Sequence, residues 1–181
     1  MAETVNVPYT PIIIRYKGLF DWDGLYIAIA DWLKRYRYFF HEEMYKHKVP
    51  SPRGAEQELY WYADINVTDY IKFRINIWFH LWDMTEVEII KDGKKKTLTN
   101  ARLEIKMVGQ EIIDWEGRFE KNRFWRAIRH WYNWYVIRRE LESVWGDTLI
   151  YRMTDLQAFI KKYLDMQASA HEWAGYMGEN R

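Results

Sequence analysis

The sequence predicts an α+β fold: a curved, mainly antiparallel sheet of about five to six strands, with one helix after the first strand and two C-terminal helices packed on one face. Residues 70–82 alternate apolar and polar side chains, which is the period of a strand with one buried face. Residues 22–33 repeat large apolar side chains every three or four positions, as an amphipathic helix does. Helical patterns return only after residue 118, and helices gathered behind a strand-rich region are typical of the α+β class.

We expect the whole chain, residues 1–181, to form one domain. Its sheet-rich part is predicted at 8–116, with a helix at 21–35, and its helical part at 118–174. A length of 181 residues is sufficient for a buried core. Four prolines and nine glycines leave little material for a flexible linker between domains.

Composition excludes several classes of site. The chain has no cysteine, which excludes disulfides, thiolate metal sites and a cysteine nucleophile. A formal net charge of +1 argues against a general phosphate-binding protein. The N-terminus lacks the basic and apolar regions of a signal peptide, and no run of about eighteen apolar residues would span a bilayer. We therefore expect a cytoplasmic protein with no transmembrane segment.

The N-terminal part predicts a strand, a helix and a second strand. Residues 8–17 form the first strand in this interpretation, because the run Ile12-Ile13-Ile14 is β-branched. Its uninterrupted apolar character indicates burial on both sides, hence a place inside the sheet or under a helix. Asp21 or Asp23 is suited to cap the helix that follows. Residues 36–49 then alternate and predict the second strand.

The middle of the chain predicts three further strands, at residues 59–67, at 70–82 with a continuation at 87–90, and at 98–108. Asp92 and Gly93 supply the turn of a hairpin, so the strands on either side of them are expected to pair antiparallel. The apolar face of the 70–82 strand is expected to pack against the first helix and against a helix that starts at Phe124.

The C-terminal part predicts two helices with different surroundings. At 100° per residue, the apolar side chains of residues 124–136 cover an arc of roughly 200°. A helix on a single surface needs an apolar stripe only somewhat wider than ~100°, so the excess is expected to meet the last helix or another subunit. Thr154 to Gln157 forms a capping-box sequence, which predicts the start of the last helix.

The aromatic content points to interfaces. Eleven Trp, fourteen Tyr and eight Phe make up 18% of the chain. Trp and Tyr are enriched in interfaces because they combine an apolar body with a polar tip. Our first hypothesis is a non-enzymatic, self-associating structural or scaffold protein that forms homo-oligomers or filament-like assemblies. The residues expected in these contacts are Trp78, Trp82, Trp125, Trp131, Tyr132, Trp134, Trp173, Tyr176 and Met177.

A second hypothesis is a cavity between sheet and helices that binds a hydrophobic ligand or a substrate. The order of elements resembles, at the level of the fold alone, that of helix-grip proteins with ligand cavities. Catalysis would use His41, Glu43 and His80, since a histidine and a carboxylate serve as acid and base. No phosphate loop or nucleophile elbow is present, so no cofactor is expected. No metal is expected either, because His41 and His47 cannot reach one ion from a strand or from a helix.

A third hypothesis is the binding of single-stranded nucleic acid along the Arg/Trp-rich helix. Residues 118–145 carry seven basic side chains against three acidic ones. Interleaved Arg and Trp suit phosphate contacts and base stacking, with Arg123, Arg126 and Arg129 as the candidates. The alternative is that these arginines surround a buried aromatic core.

Overall fold

The computed structural model describes residues 3–51, 54–91, 94–119, 122–136 and 144–166. Within these ranges the chain forms a five-stranded antiparallel sheet and three helices, which confirms the α+β class. The elements are β1 (Glu3–Phe20), α1 (Trp22–Arg35), β2 (Phe39–Ser51), β3 (Gly54–Asn66), β4 (Ile71–Lys91), β5 (Lys94–Ile113), α2 (Arg123–Tyr135) and α3 (Gly146–Tyr163).

The strands lie in the order β1-β5-β4-β3-β2, so β4 occupies the centre of the sheet. Its alternation separates an inner, apolar face from an outer, polar and aromatic face, as the sequence predicts. Over residues 71–82 the inner-face side chains of β4 are buried, and they are Ile71, Phe73, Ile75, Ile77, Phe79 and Leu81. The hairpin between β4 and β5 pairs antiparallel up to Lys91 and Lys94, while its turn, Asp92-Gly93, lies outside the described residues.

Helix α1 covers the inner face across β3 and β4. Asp21 caps it by accepting a hydrogen bond from the Gly24 backbone N–H at 2.9 Å, so the prediction of a capped helix at 21–35 is confirmed. The ring of Trp22 meets Phe79 edge to face at 5.8 Å, and the ring of Tyr26 meets Trp61 at 4.6 Å. These contacts fix α1 on the centre of the sheet.

Helix α3 packs beside α1 and covers β1 and β5. It begins at Gly146, so the prediction that Thr154 opens the last helix is wrong. Thr154 lies in the middle of α3, where its hydroxyl donates a hydrogen bond to the Ile150 carbonyl at 2.9 Å. The side chains that α3 buries are Leu149, Met153, Leu156 and Ile160. None of the helices in the described ranges has an apolar stretch of sufficient length to cross a bilayer.

Strand β1 lies at an edge of the sheet, with β5 as its one strand neighbour in the described chain. The expectation of a position inside the sheet is therefore wrong, and the alternative position, under a helix, is confirmed. Ile14 points inward and is buried, whereas Ile13 on the outer face is 41% exposed. A continuous apolar run thus marks a strand that is covered on one face only.

A bulge interrupts β4 between Trp82 and Thr85, where its register shifts against β5, and the register against β3 shifts at the same level. Asp83 takes a left-handed conformation with φ 54°, which is uncommon for a residue other than glycine. The Asp83 carboxylate accepts a hydrogen bond from Arg102 Nε at 2.8 Å. Bulges re-aim neighbouring side chains, and this one lies beside the histidine cluster described below.

Candidate interaction surfaces and a histidine–carboxylate cluster

Helix α2 docks on the rest of the protein through its polar side. Asn133 is 9% exposed and accepts a hydrogen bond from the Tyr70 hydroxyl at 2.6 Å. The Asn133 amide donates to the Glu3 carboxylate at 2.9 Å. Burial, followed by the nearby Asp114 carboxylate, raises the pKa of Tyr70 to about 12, so this hydroxyl keeps its proton and donates.

A buried ion pair adds to this docking. The Asp114 side chain is fully buried, and the Arg129 guanidinium lies 3.5 Å from its carboxylate. The same carboxylate accepts hydrogen bonds from the backbone N–H groups of Arg118 at 2.8 Å and Phe119 at 3.3 Å. A buried carboxylate needs such partners, since an unpaired buried charge is strongly destabilising.

The opposite side of α2 is aromatic and exposed. Phe124 is 68% exposed, Trp131 57% and Tyr135 73%. At 100° per residue these three side chains fall within an arc of about 40°, and Asn133 lies about 180° from Phe124. The expectation that this helix covers the apolar face of the 70–82 strand is therefore wrong, because α1 and α3 cover that face and none of the described side chains of α2 belongs to the hydrophobic core.

The other predicted interface residues fall in three places. Trp125 and Trp134 flank the exposed side of α2 and are 42% and 53% exposed, while Tyr132 is half-buried with its ring 6.0 Å from that of Tyr70. Trp78 and Trp82 lie half-buried on the outer face of the sheet. The remaining three, Trp173, Tyr176 and Met177, lie outside the described residues.

On the outer face of the sheet, Trp78 and Trp82 are paired with neighbours in their own chain. Trp78 stacks on Tyr60 with ring centroids 4.9 Å apart, and Trp82 stacks on His80 at 3.7 Å. Four cations lie 4.7 to 5.6 Å from ring centroids: Lys72 over Trp115, Arg74 over Tyr62, Arg102 over Trp82 and Lys106 over Trp78. The basic and aromatic pattern of β4 is thus a set of cation–π and stacking pairs.

The sheet register separates the predicted catalytic residues. His41 pairs with Tyr62, whereas His80 pairs with Glu58, four positions away along β3. At ~3.3 Å per residue this offset is roughly 13 Å. Glu43 falls at an irregularity of β2, where the register against β3 shifts. His41, Glu43 and His80 therefore do not meet in one place.

His80 instead joins a cluster that the sequence alone did not reveal. Its Nε2 lies 2.6 Å from Glu56 Oε1 and 3.6 Å from Glu58 Oε1. The Lys48 ammonium lies 3.2 Å from Glu56 and 2.9 Å from Glu58. The available signal was Glu-x-Glu in a strand, which places both carboxylates on one face. The positions of His80 and Lys48 beside these carboxylates follow only from the register in which β2, β3 and β4 pair.

Both carboxylates of this cluster are held in their ionised form. The hydrogen bond with His80, followed by that with Lys48, lowers the pKa of Glu56 below its ordinary value. The hydrogen bond with Lys48 lowers the pKa of Glu58 in the same way. Two carboxylates and one imidazole nitrogen, all within 4.8 Å of one another, form a donor set that is able to hold a metal ion.

The nucleic-acid candidates on α2 are not equivalent. Arg129 is partly buried and directed at Asp114, whereas Arg123 is exposed at the start of the helix. The side chain of Arg126 lies outside the described part of the structure. Of the described arginine side chains of α2, Arg123 is therefore exposed to solvent, whereas Arg129 is paired with Asp114.

An open groove of about 550 Å³ lies at one margin of the sheet. Its lining mixes two cations, a carboxylate, an amide and two apolar side chains, namely Arg37, Lys72, Asp64, Asn66, Phe39 and Ile65. The second hypothesis places a cavity for a hydrophobic ligand or a substrate between sheet and helices, whereas this groove is polar and lies at the ends of β2, β3 and β4.

A second buried acid, after Asp114, lies on the inner face of the sheet. Glu111 is 2% exposed, and its Oε1 has no hydrogen-bond partner among the described residues. Burial raises the pKa of Glu111 to about 7. Alternation along β5 places it on the inner face, two residues from Gly109 and two from Ile113.

Comparison with protein-family models and with curated protein sequences gives no match.

Proposed function

We propose that this is a non-enzymatic, self-associating structural or scaffold protein whose copies join through the aromatic side of α2. The observation that supports the proposal is the orientation of this helix. Its polar side is used by the fold, through Asn133 and Arg129, and its aromatic side faces solvent. Exposed aromatic patches of this kind mark sites of association.

A second copy of the same helix is the occupant that fits this surface. The stripe from Phe124 to Tyr135 is about 16 Å long, and two antiparallel copies would bury the same patch on both subunits, as a twofold dimer requires. This arrangement also brings Arg123 of each copy to the C-terminal end of the other α2. A cation is favourable there because the helix dipole is negative at that end.

The surface that would be buried is large enough for a stable contact. The three rings of this side and the two that flank it are 42 to 73% exposed, those of Phe124, Trp131 and Tyr135 with Trp125 and Trp134. At roughly 200 Å² per aromatic side chain, their exposed parts amount to about 600 Å² per copy. A dimer that covered all five rings would therefore bury up to about 1,200 Å², the lower end of specific protein interfaces.

Light scattering after size exclusion tests the proposal. We expect the wild-type protein to elute as an oligomer at micromolar concentration, and the double variant Trp131→Ser with Tyr135→Ser to be a monomer. A twofold dimer of the variant lacks four aromatic rings, two from each copy, so at roughly 1–2 kcal/mol per ring the dissociation constant should rise at least about 1,000-fold.

The matched control removes equally exposed rings from other elements. Phe39 on β2 is 73% exposed and Tyr151 on α3 is 70% exposed, so Phe39→Ser with Tyr151→Ser should leave the oligomer intact. A monomeric wild-type protein would refute the proposal, and so would equal dissociation of the two double variants. A monomer that co-sediments with lipid vesicles through α2 would assign the surface to a membrane and would likewise refute it.

A further inference from the structure

We propose that Glu56, Glu58 and His80 form a binding site for a divalent transition-metal cation, represented by Zn²⁺, on the outer face of the sheet. The site is separate from the aromatic side of α2. It is built from two adjacent strands, with Glu56 and Glu58 on β3 and His80 on β4.

Strand geometry brings the three donors together. Residues two apart on a strand point to the same face, so Glu56 and Glu58 are neighbours on the outer side. His80 lies directly across from Glu58 in the antiparallel register. Cross-strand partners have Cβ atoms ~5 Å apart, so the three side chains form a triangle.

The distances suit a metal ion after small side-chain rotations. The donors lie within 4.8 Å of one another, with His80 Nε2 at 2.6 Å from Glu56 and 3.6 Å from Glu58. Zinc binds nitrogen and carboxylate oxygen at ~2.0–2.2 Å, which places neighbouring donors roughly 3 to 4 Å apart. All three side chains are about 30% exposed, so the open position of the ion would face water.

Two further side chains affect metal binding at this site: Trp82 supports a ligand, and Lys48 competes with the ion. Trp82 stacks on the His80 ring at 3.7 Å and holds the imidazole in place, as supporting contacts do for metal ligands. The Lys48 ammonium lies within 3.2 Å of both carboxylates and occupies the position of a cation. Binding of Zn²⁺ therefore requires that this ammonium move away, which its 54% exposure permits. Lys48 sets the affinity by competing with the ion.

The imidazole nitrogen decides which cations bind. Ca²⁺ and Mg²⁺ prefer sites built only of oxygen, whereas imidazole suits Zn²⁺ and its first-row neighbours. We therefore expect Zn²⁺ and Co²⁺ to bind and Ca²⁺ and Mg²⁺ not to bind.

Titration calorimetry with ZnCl₂ on the full chain tests the proposal, with Co²⁺ absorption as a second readout of coordination. We expect one ion per chain, with affinity at least ten-fold lower in His80→Ala and in Glu56→Gln. The variant Lys48→Met removes the competing charge without removing a ligand, so we expect its affinity to be at least ten-fold higher. His41→Ala removes an exposed histidine of β2 outside the cluster and should bind as the wild type does.

Three results would overturn the proposal. The first is that neither the wild type nor Lys48→Met binds Zn²⁺. The second is an unchanged Zn²⁺ affinity in His80→Ala, and the third is a Zn²⁺ affinity in Lys48→Met that is not higher than in the wild type. The expected gain of Zn²⁺ affinity in Lys48→Met still tests the proposal if His80→Ala or Glu56→Gln folds poorly.

Discussion

Replacing the buried acid Glu111 with glutamine should remove a pH dependence of stability. Glu111 lies on the inner face of β5, where the register places it beside Val5 on β1 and Phe73 on β4. The side chains of these neighbours carry no charge and no hydrogen-bonding group. The folded protein therefore keeps this carboxyl protonated up to a pKa of about 7, while the unfolded chain loses the proton near the ordinary value of 4.5.

The sign of the effect follows from proton linkage. Below pH 4.5 Glu111 is protonated in both the folded and the unfolded state, so its ionisation does not lower the free energy of unfolding. Between pH 4.5 and about 7 the unfolded state ionises first, so the free energy of unfolding falls as the pH rises, and it levels off above 7. At ~1.4 kcal/mol per pKa unit the full loss is roughly 3 kcal/mol. We expect about 2 kcal/mol, because relaxation and water penetration moderate such penalties.

Urea denaturation at several pH values between 5 and 8, followed by tryptophan fluorescence, measures the effect as the difference between Glu111→Gln and wild type. Glutamine stays neutral, so the variant should gain about 2 kcal/mol relative to wild type between pH 5 and pH 8. Glu86→Gln, on the exposed part of β4, is the control and should show no such gain. A difference between Glu111→Gln and wild type that is constant with pH would show that this carboxyl is ionised in the folded protein, and the reasoning would fail.

Two further substitutions test the packing that positions these surfaces. A Cβ at Gly109 would collide with the Val7 carbonyl of β1 and lie 2.6 Å from Met153 Sδ of α3, so Gly109→Ala should displace the β1 backbone and cost about 3 kcal/mol in urea denaturation. A cost below about 1 kcal/mol would show that β1 and α3 do not pack this closely on Gly109. Asp21→Ala removes the N-cap of α1 and should lower the free energy of unfolding by about 1 kcal/mol. Asp21→Asn should stay close to wild type, because asparagine also caps helices. Equal losses of stability in both variants would contradict the capping role.

Periodicity predicted the sheet and α1 well because those segments bury one face on a single core. The alternation of β4 and the three-to-four spacing of α1 each report directly which side chains are buried. The same reasoning failed at Thr154, where a capping-box sequence lies within a helix that had already begun. It also failed for β1, because an apolar run does not distinguish one covered face from two.

The histidine cluster lay beyond sequence reasoning for a different reason. Its members come from β2, β3 and β4, and a shift of one residue in any pairing would move a side chain to the other face. The sequence pointed to His41 and Glu43 as partners of His80, but the register instead gives His80 the neighbours Glu56 and Glu58. Those pairings depend on register shifts between β2 and β3 and between β3 and β4, which hydrophobic periodicity does not report.

The orientation of α2 follows from a comparison of energies. Turning its aromatic side inward would gain roughly 2 kcal/mol per buried ring, but α1 and α3 already fill the inner face. It would also withdraw Arg129 from Asp114 and Asn133 from Tyr70, and a buried carboxylate that loses its partner costs roughly 3–5 kcal/mol. The isolated chain therefore keeps the polar side inward and leaves the aromatic side in water. A second copy that covers this side would recover the aromatic burial without disturbing Asp114, so the proposed self-association would satisfy both sides of the helix at once.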